Sequence, residues 1–126
     1  MACRISELVL KCHDPEALAR FWCEILDFVV LDREAEVYVE IGPREGFGRP
    51  QPTLFLIRDE DPANGPTRLH IDVNPTDRDQ DAELERLLAA GARLVDIGQP
   101  ADASWHVLAD PEGNEFCLLK RRLPPL

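Results

Sequence analysis

The chain repeats one pattern at an interval of 63 residues. Residues 7–14 align with residues 70–77, and both segments read as a strand that ends at an Asp. A helical pattern follows each strand, with apolar residues spaced three and four apart: Leu18, Phe21, Trp22, Ile25 and Leu26 in the first copy, Leu84, Leu87 and Leu88 in the second. Repetition at a fixed period indicates repeated structural units. The sequence therefore predicts one domain over residues 1–126, with a first module (residues 1–58), a linker (residues 59–67) and a second module (residues 68–122).

Capping residues, glycines and prolines set the limits of the predicted elements. Asp14 can cap the first helix with Pro15 in its first turn, and Gly91 can stop a second helix that begins near Asp77. The segment 42–52 contains three Gly and three Pro, so it is predicted to be a loop. The predicted strands cover residues 4–12, 28–32, 36–41, 53–58, 68–74 and 93–97, followed by a final hairpin.

The closing hairpin, residues 105–119, turns at Asp-Pro-Glu-Gly-Asn. Proline presets the turn dihedral, and Gly113 supplies a residue that tolerates positive φ. Together with the repeat and the segment Arg-Leu-His-Ile-Asp at residues 68–72, this hairpin resembles the vicinal-oxygen-chelate superfamily, which includes glyoxalases, bleomycin-resistance proteins and extradiol dioxygenases. The resemblance covers residues 4–120. It implies an α+β fold in which two βαβββ modules form a curved mixed sheet around a central cup.

Composition excludes several classes of partner. The formal net charge of −10 opposes binding to nucleic acid or to an anionic membrane, because phosphate groups require a cationic surface. There is neither an 18-residue apolar run nor a basic-then-apolar leader, so we expect a cytoplasmic protein with no membrane partner. The four cysteines lack Cys-x-x-Cys spacing and are expected to be reduced thiols.

Strand periodicity divides the first and fifth predicted strands into an apolar face and a polar face. Glu7 and Lys11 share one face of the first strand, and Arg68, His70 and Asp72 share one face of the fifth. The apolar faces are expected to pack against the helices. The polar faces then either line the cup, with Trp105 as an aromatic wall, or are solvated.

The resemblance also implies metal-ligand positions, which fall in the first, fourth, fifth and eighth strands at Glu7, Leu56, His70 and Cys117. His70 matches the usual His, whereas His, Glu or Gln, and Glu are typical at the other three positions. These departures argue against glyoxalase I and against the two-His, one-carboxylate iron site of an extradiol dioxygenase. Glu7, His70 and Cys117 could still hold a divalent metal such as zinc. Alternatively, no metal is bound and Cys117 is a small buried apolar residue.

Two functions remain open at this point. One is a lyase or isomerase that acts on a small polar metabolite, with Glu7 and His70 as the acid–base pair. The other is a metal-free module that binds or sequesters a small molecule, as bleomycin-resistance members of the superfamily do. His70 beside Asp72 could also be a plain surface pair. A homodimer is expected with either function.

Overall fold

The computed structural model describes residues 2, 4–62 and 69–125. The chain forms two compact units, Met1–Gly65 and Pro66–Leu126, which are module one and module two below. Residues 63–68 lie outside the described residues. They comprise residues 63–67 of the predicted linker and Arg68, which the sequence predicted to contact a ligand.

Each module has the order strand, helix, strand, strand, strand, which confirms the predicted α+β fold with two βαβββ modules. Module one consists of β1 (Glu7–Cys12), α1 (Pro15–Leu26), β2 (Val29–Glu34), β3 (Tyr38–Gly42) and β4 (Thr53–Arg58). Module two consists of β5 (Ile71–Val73), α2 (Gln80–Ala90), β6 (Arg93–Leu94), β7 (His106–Ala109) and β8 (Glu115–Leu118).

The two sheets have equivalent strand orders, β1-β4-β3-β2 and β5-β8-β7-β6. In each, the first strand is parallel to the last one, and the remaining pairs are antiparallel. A parallel pair needs a long crossover. The helix and the two intervening strands provide it.

Local chemistry accounts for both helices. The Asp14 carboxylate accepts a hydrogen bond from the Ala17 backbone N–H at 3.1 Å, and Pro15 occupies the first turn of α1. Helix α2 begins later than predicted, at Gln80, because Asp79 caps it through the Ala82 N–H at 2.9 Å. As predicted, the helix ends at Gly91, whose φ is 122°.

The apolar face of α2 is narrower than the sequence predicted. Leu87 is buried, whereas Leu88 is 37% exposed. Glu83, one turn before Leu87, is buried instead and forms an ion pair with Arg86. A buried carboxylate is tolerated where a cation pairs with it.

Four predicted strands are shorter in the structure, among them β3, which begins at Tyr38 because residues 35–37 form a turn in which Glu36 has a φ of 68°. β1 begins at Glu7 and β5 covers only residues 71–73. β6 ends at Leu94, and after it the side chains of Asp96 and Gln99 accept hydrogen bonds from nearby backbone N–H groups. Such local bonds compete with the sheet ladder. By contrast, β4 has the predicted limits, Thr53–Arg58.

Helix α1 covers one face of the module-one sheet and contacts β2, β3 and β4. The buried apolar side chains of this module are Cys12, Leu18, Ala19, Phe21, Trp22, Ile25, Phe28, Val39, Ile41, Leu54 and Leu56. The opposite face of the sheet carries Glu7, Val9 and Lys11, as the alternation predicted. That face is therefore available for functional groups.

The closing hairpin depends on the carboxylate of Asp110, which is 1% exposed. One of its oxygens accepts hydrogen bonds from the backbone N–H groups of Glu112 and Asn114, at 2.9 and 3.0 Å. Gly113 has a φ of 87°, as the turn chemistry requires.

Within the part of the chain that the structure describes, no helix is long and apolar enough to cross a membrane.

Candidate functional site

Three side chains of module two converge on one face of its sheet, and we call them the polar trio: His70, Asp72 and Cys117. Asp72 in β5 is the register partner of Cys117 in β8, so their side chains point to the same face. His70 precedes β5 by one residue, and its Nε2 lies 3.3 Å from Oδ1 of Asp72. One nitrogen, oxygen or sulfur atom from each residue lies within 4.8 Å of the others.

The protonation of Cys117 follows from its surroundings. Partial burial, followed by the negative charge of Asp72 and a hydrogen bond with it, raises the pKa of the Cys117 thiol. The thiol is therefore neutral at physiological pH when no cation is present. The side chains of His70 and Asp72 are 61% and 47% exposed, so both are accessible to a ligand.

Glu7 belongs to a second polar group, in module one. Its register partner in β4 is Thr53, whose hydroxyl donates a hydrogen bond to the Glu40 carboxylate at 3.0 Å. Desolvation raises the pKa of Glu7, as do a hydrogen bond to Glu40 and the charge of that residue. Glu7 and Glu40 therefore form a carboxyl pair in which the protonated form of Glu7 is favoured.

Glu40 was not identified from the sequence, although a signal was present. Tyr38 and Glu40 alternate with the apolar residues Val39 and Ile41, which predicts that they share the uncovered face of the sheet. Only the register of β3 against β4, which pairs Glu40 with Phe55, places Glu40 near Thr53 and Glu7. Register between distant segments cannot be obtained from alternation alone.

An aromatic pair lies on the same face of module one and was also missed. The rings of Tyr38 and Phe55 stack at a centroid distance of 4.7 Å and an angle of 23°. The Tyr38 hydroxyl donates a hydrogen bond to Asp32 at 2.8 Å. Val9, the register partner of Phe55, is 58% exposed. These side chains form an apolar surface beside the carboxyl pair.

Leu56, which was assigned a ligand position, lies in the core instead. It is fully buried, and its register partner is Leu10, whose side chain points away from the Glu7 face. The prediction placed the position one residue too far along β4. Because side chains alternate, this shift moves it to the opposite face. Phe55 is the residue of β4 that corresponds to Cys117 of β8, since Val9 pairs with Phe55 and Asp72 pairs with Cys117.

The remaining predicted contacts are at the surface. Lys11 Nζ lies 3.8 Å from Asp59, with its side chain 64% exposed. Trp105, immediately before β7, is 37% exposed. Exposure leaves both side chains accessible to a ligand.

Module one also contains a cavity of about 340 Å³, which the sequence did not predict. It is lined by His13, Asp14, Pro15, Glu16, Glu34, Glu36, Val37, Tyr38, Val39 and Arg58. Glu16 pairs with Arg33 at 3.0 Å, and Glu36 pairs with Arg58 at 2.6 Å. Much of the lining charge is thus neutralised within the protein.

The donor atoms decide which residues suit the divalent metal that the resemblance implied. Of the residues named from the sequence, Leu56 has no donor atom, and Glu7 is engaged with Glu40. The polar trio offers an imidazole nitrogen, a carboxylate oxygen and a thiol sulfur within 4.8 Å. Zinc accepts all three types of ligand, so the trio fits such an ion.

Comparison with known proteins identifies relatives by family and by fold. A family model described as a glyoxalase-like domain matches residues 7–119. A search of curated proteins gave no significant match.

Solved structures with a similar fold include fosfomycin resistance protein FosX from Listeria monocytogenes, with a TM-score of 0.70 and 14% identity over 98% of this chain and 94% of that one. Another is TnmS3, an antibiotic-binding protein from Streptomyces sp. CB03234, with a TM-score of 0.62 and 20% identity over 98% of each chain. A third is a glyoxalase/bleomycin resistance protein/dioxygenase family enzyme from Burkholderia phytofirmans PsJN, with a TM-score of 0.63 and 16% identity over 92% of this chain and 97% of that one. At these identities the likeness establishes the fold.

Proposed function

The chain belongs to the family of glyoxalase-like domains, and on this premise we propose that it binds a small polar molecule at the polar trio of module two. The observation that carries the proposal is the convergence of three chemically different polar groups, with donor atoms within 4.8 Å of one another. Small-molecule sites use a few convergent polar groups to fix the orientation of a ligand. Two members of the trio are accessible from solvent.

His70 is the proposed acid–base group. Because Nε2 lies 3.3 Å from the Asp72 carboxylate, Nδ1 is the nitrogen that we propose exchanges a proton with the ligand. Asp72 orients the ring and stabilises the imidazolium that forms when Nδ1 takes a proton from the ligand. This is the chemistry of a lyase or an isomerase. A divalent metal bound by the trio would instead take His70 and Asp72 as ligands and would replace this proton transfer by polarising a ligand oxygen.

Substitution of His70 tests this proposal. His70→Ala is expected to weaken binding at least about tenfold, the usual effect of removing a positioned polar contact worth 1.4 kcal/mol. Binding can be followed by NMR titration with a panel of small hydroxy acids, oxo acids and amines. His13→Ala in module one is the matched control. Equal binding by wild type and His70→Ala would contradict the proposal, and so would shifts confined to module one.

A second candidate function is metal-free sequestration of a small molecule against the aromatic pair. The stacked rings of Tyr38 and Phe55 beside exposed Val9 favour it, because aromatic walls bind apolar ligand bodies. The antibiotic-binding protein TnmS3, which has the same fold, agrees with it. Binding without turnover that is lost in Phe55→Ala and retained in His70→Ala would favour this function over the first.

The other predicted site residues are part of the proposal. Glu7, whose pKa is raised by desolvation and by Glu40, is proposed as a second acid–base group, and Arg68, Lys11 and Trp105 are proposed ligand contacts. We also propose that the protein is a cytoplasmic homodimer. Exposed apolar side chains such as Ile5, Leu94 and Ile97, each at least 57% exposed, support self-association. Sedimentation of the 14.2 kDa chain as a single monomeric species would exclude the dimer.

A further inference from the structure

We infer that the polar trio is a metal site contained within module two, in which Asp72 is the third ligand in place of Glu7 and the Cys117 thiolate selects a soft divalent ion of the zinc type. The inference rests on the proposed role of the trio as the functional site. It can nevertheless fail alone, because metal binding is measured without an organic ligand.

The geometry suits a tetrahedral ion. With metal–ligand bonds of 2.0–2.3 Å, neighbouring ligand atoms around zinc lie about 3.3–3.8 Å apart. His70 Nε2 and Asp72 Oδ1 already lie 3.3 Å apart, and the donor atoms of all three residues lie within 4.8 Å. Side-chain rotations that move the donor atoms by about 1 Å would close the remaining gaps. The fourth position of the tetrahedron is then open to water or to a ligand oxygen, as in catalytic zinc sites.

The backbone holds two of the three ligands in place. Asp72 and Cys117 are register partners in the parallel pair β5–β8, so the sheet hydrogen bonds fix their separation. His70 projects from the residue just before β5, on the same face. Preorganised ligands reduce the ordering cost of metal binding.

The ligand set differs from the one that the family resemblance implied. Glu7 lies in module one, where its register partner Thr53 donates a hydrogen bond to Glu40 and where Glu7 pairs with that carboxyl group. Asp72 supplies the carboxylate, two residues after the proposed imidazole ligand His70. A thiolate ligand favours zinc, cobalt(II) and cadmium over magnesium, calcium and manganese, which prefer oxygen ligands. On binding, the Sγ–metal bond forms and the thiol proton is released to solvent.

Cobalt(II) is the probe, because it occupies tetrahedral zinc sites and gives a sulfur-to-cobalt charge-transfer absorption. Chelator-treated protein without an affinity tag is titrated with cobalt(II) and then with zinc(II). We expect one cobalt per chain, the charge-transfer band, displacement by zinc and no displacement by excess magnesium. Lack of stoichiometric cobalt binding, or binding without the band, would overturn the inference.

Substitutions identify the ligands. Cys117→Ser is expected to abolish the band, whereas Cys23→Ser, at another partly buried thiol, retains it. Asp72→Asn and His70→Ala are each expected to weaken zinc binding at least about tenfold, since even residues that only orient a ligand contribute that much. Glu7→Gln is expected to change the zinc dissociation constant less than about twofold. Loss of binding in Glu7→Gln would overturn the assignment of Asp72, and so would unchanged binding in Asp72→Asn. Circular dichroism verifies that each variant folds. If Cys117→Ser does not fold, His70→Ala still tests the site, because the His70 side chain is exposed.

Discussion

Module one and module two have equivalent strand orders. They differ in the residue types on the sheet face that points away from the helix. At one pair of equivalent register positions, module one has Val9 beside Phe55 and module two has Asp72 beside Cys117. The first pair adjoins an aromatic stack, and the second belongs to the polar trio. The comparison shows that the strand order fixes where functional groups can stand, whereas the residue types decide which module can bind a metal or transfer a proton.

The largest expected effect separates a core position from a site position. Leu56→Ala should destabilise the protein by about 3–5 kcal/mol, because Leu56 is fully buried and truncation leaves a cavity. Cys117→Ala should cost only about 1 kcal/mol, since Cys117 is partly exposed and loses a single atom. Urea denaturation measures both. Similar costs would mean that these two positions are equivalent, contrary to the registers of β4 and β8.

The connections before the last strand of each module should also differ in their importance. Asp110→Ala should cost about 2–3 kcal/mol, because the buried carboxylate accepts hydrogen bonds from Glu112 and Asn114. Glu45→Ala, in the loop between β3 and β4, should cost less than about 0.5 kcal/mol. Thermal unfolding of both variants provides the comparison. A tolerated Asp110→Ala would show that Gly113 and the strand pairing suffice for the hairpin.

A smaller effect on stability is expected at the polar trio. The His70 side chain is 61% exposed, so His70→Ala should alter the free energy of unfolding by less than about 1 kcal/mol while it weakens binding. Chemical denaturation and ligand titration of the same sample separate the two effects. Unfolding of His70→Ala would identify His70 as a structural residue and remove it from the site.

The smallest effect concerns the carboxyl pair of module one. Desolvation and Glu40 raise the pKa of Glu7 above its usual value of 4.5, so the folded state favours the protonated form. The stabilisation that this provides is fully present below the usual pKa and is lost as the pH rises through the raised value. Glu7→Gln, which is neutral at every pH, should therefore raise the melting temperature slightly near pH 7.5, and this gain should disappear near pH 4.

Glu45→Gln, in a surface loop, should show no such pH dependence. Melting curves of both variants across this range test the pair. A gain for Glu7→Gln that stays constant with pH would indicate that ionisation of Glu7, which desolvation and Glu40 disfavour, is not the cause.

Much of the fold was predictable because it depends on local signals. The 63-residue repeat indicated the two modules, and Asp14, Pro15 and Gly91 marked helix limits through chemistry that operates within one turn. The limits of β6 were wrong because side-chain bonds from Asp96 and Gln99 end the strand locally. Such bonds are hard to predict, because the same backbone groups can bond either to a nearby side chain or to the next strand.

The sequence by itself determined the chain's class, its repeat, the polar faces of the first and fifth strands, and His70 and Cys117 as candidates. Only the tertiary structure decided which residues stand beside them. It placed Leu56 in the core, paired Asp72 with Cys117, and brought Glu40 to Glu7. The physical reason is register. Side chains alternate every residue along a strand, so a site composed of several strands depends on hydrogen bonds between segments far apart in sequence, and a shift of one residue exchanges core and site.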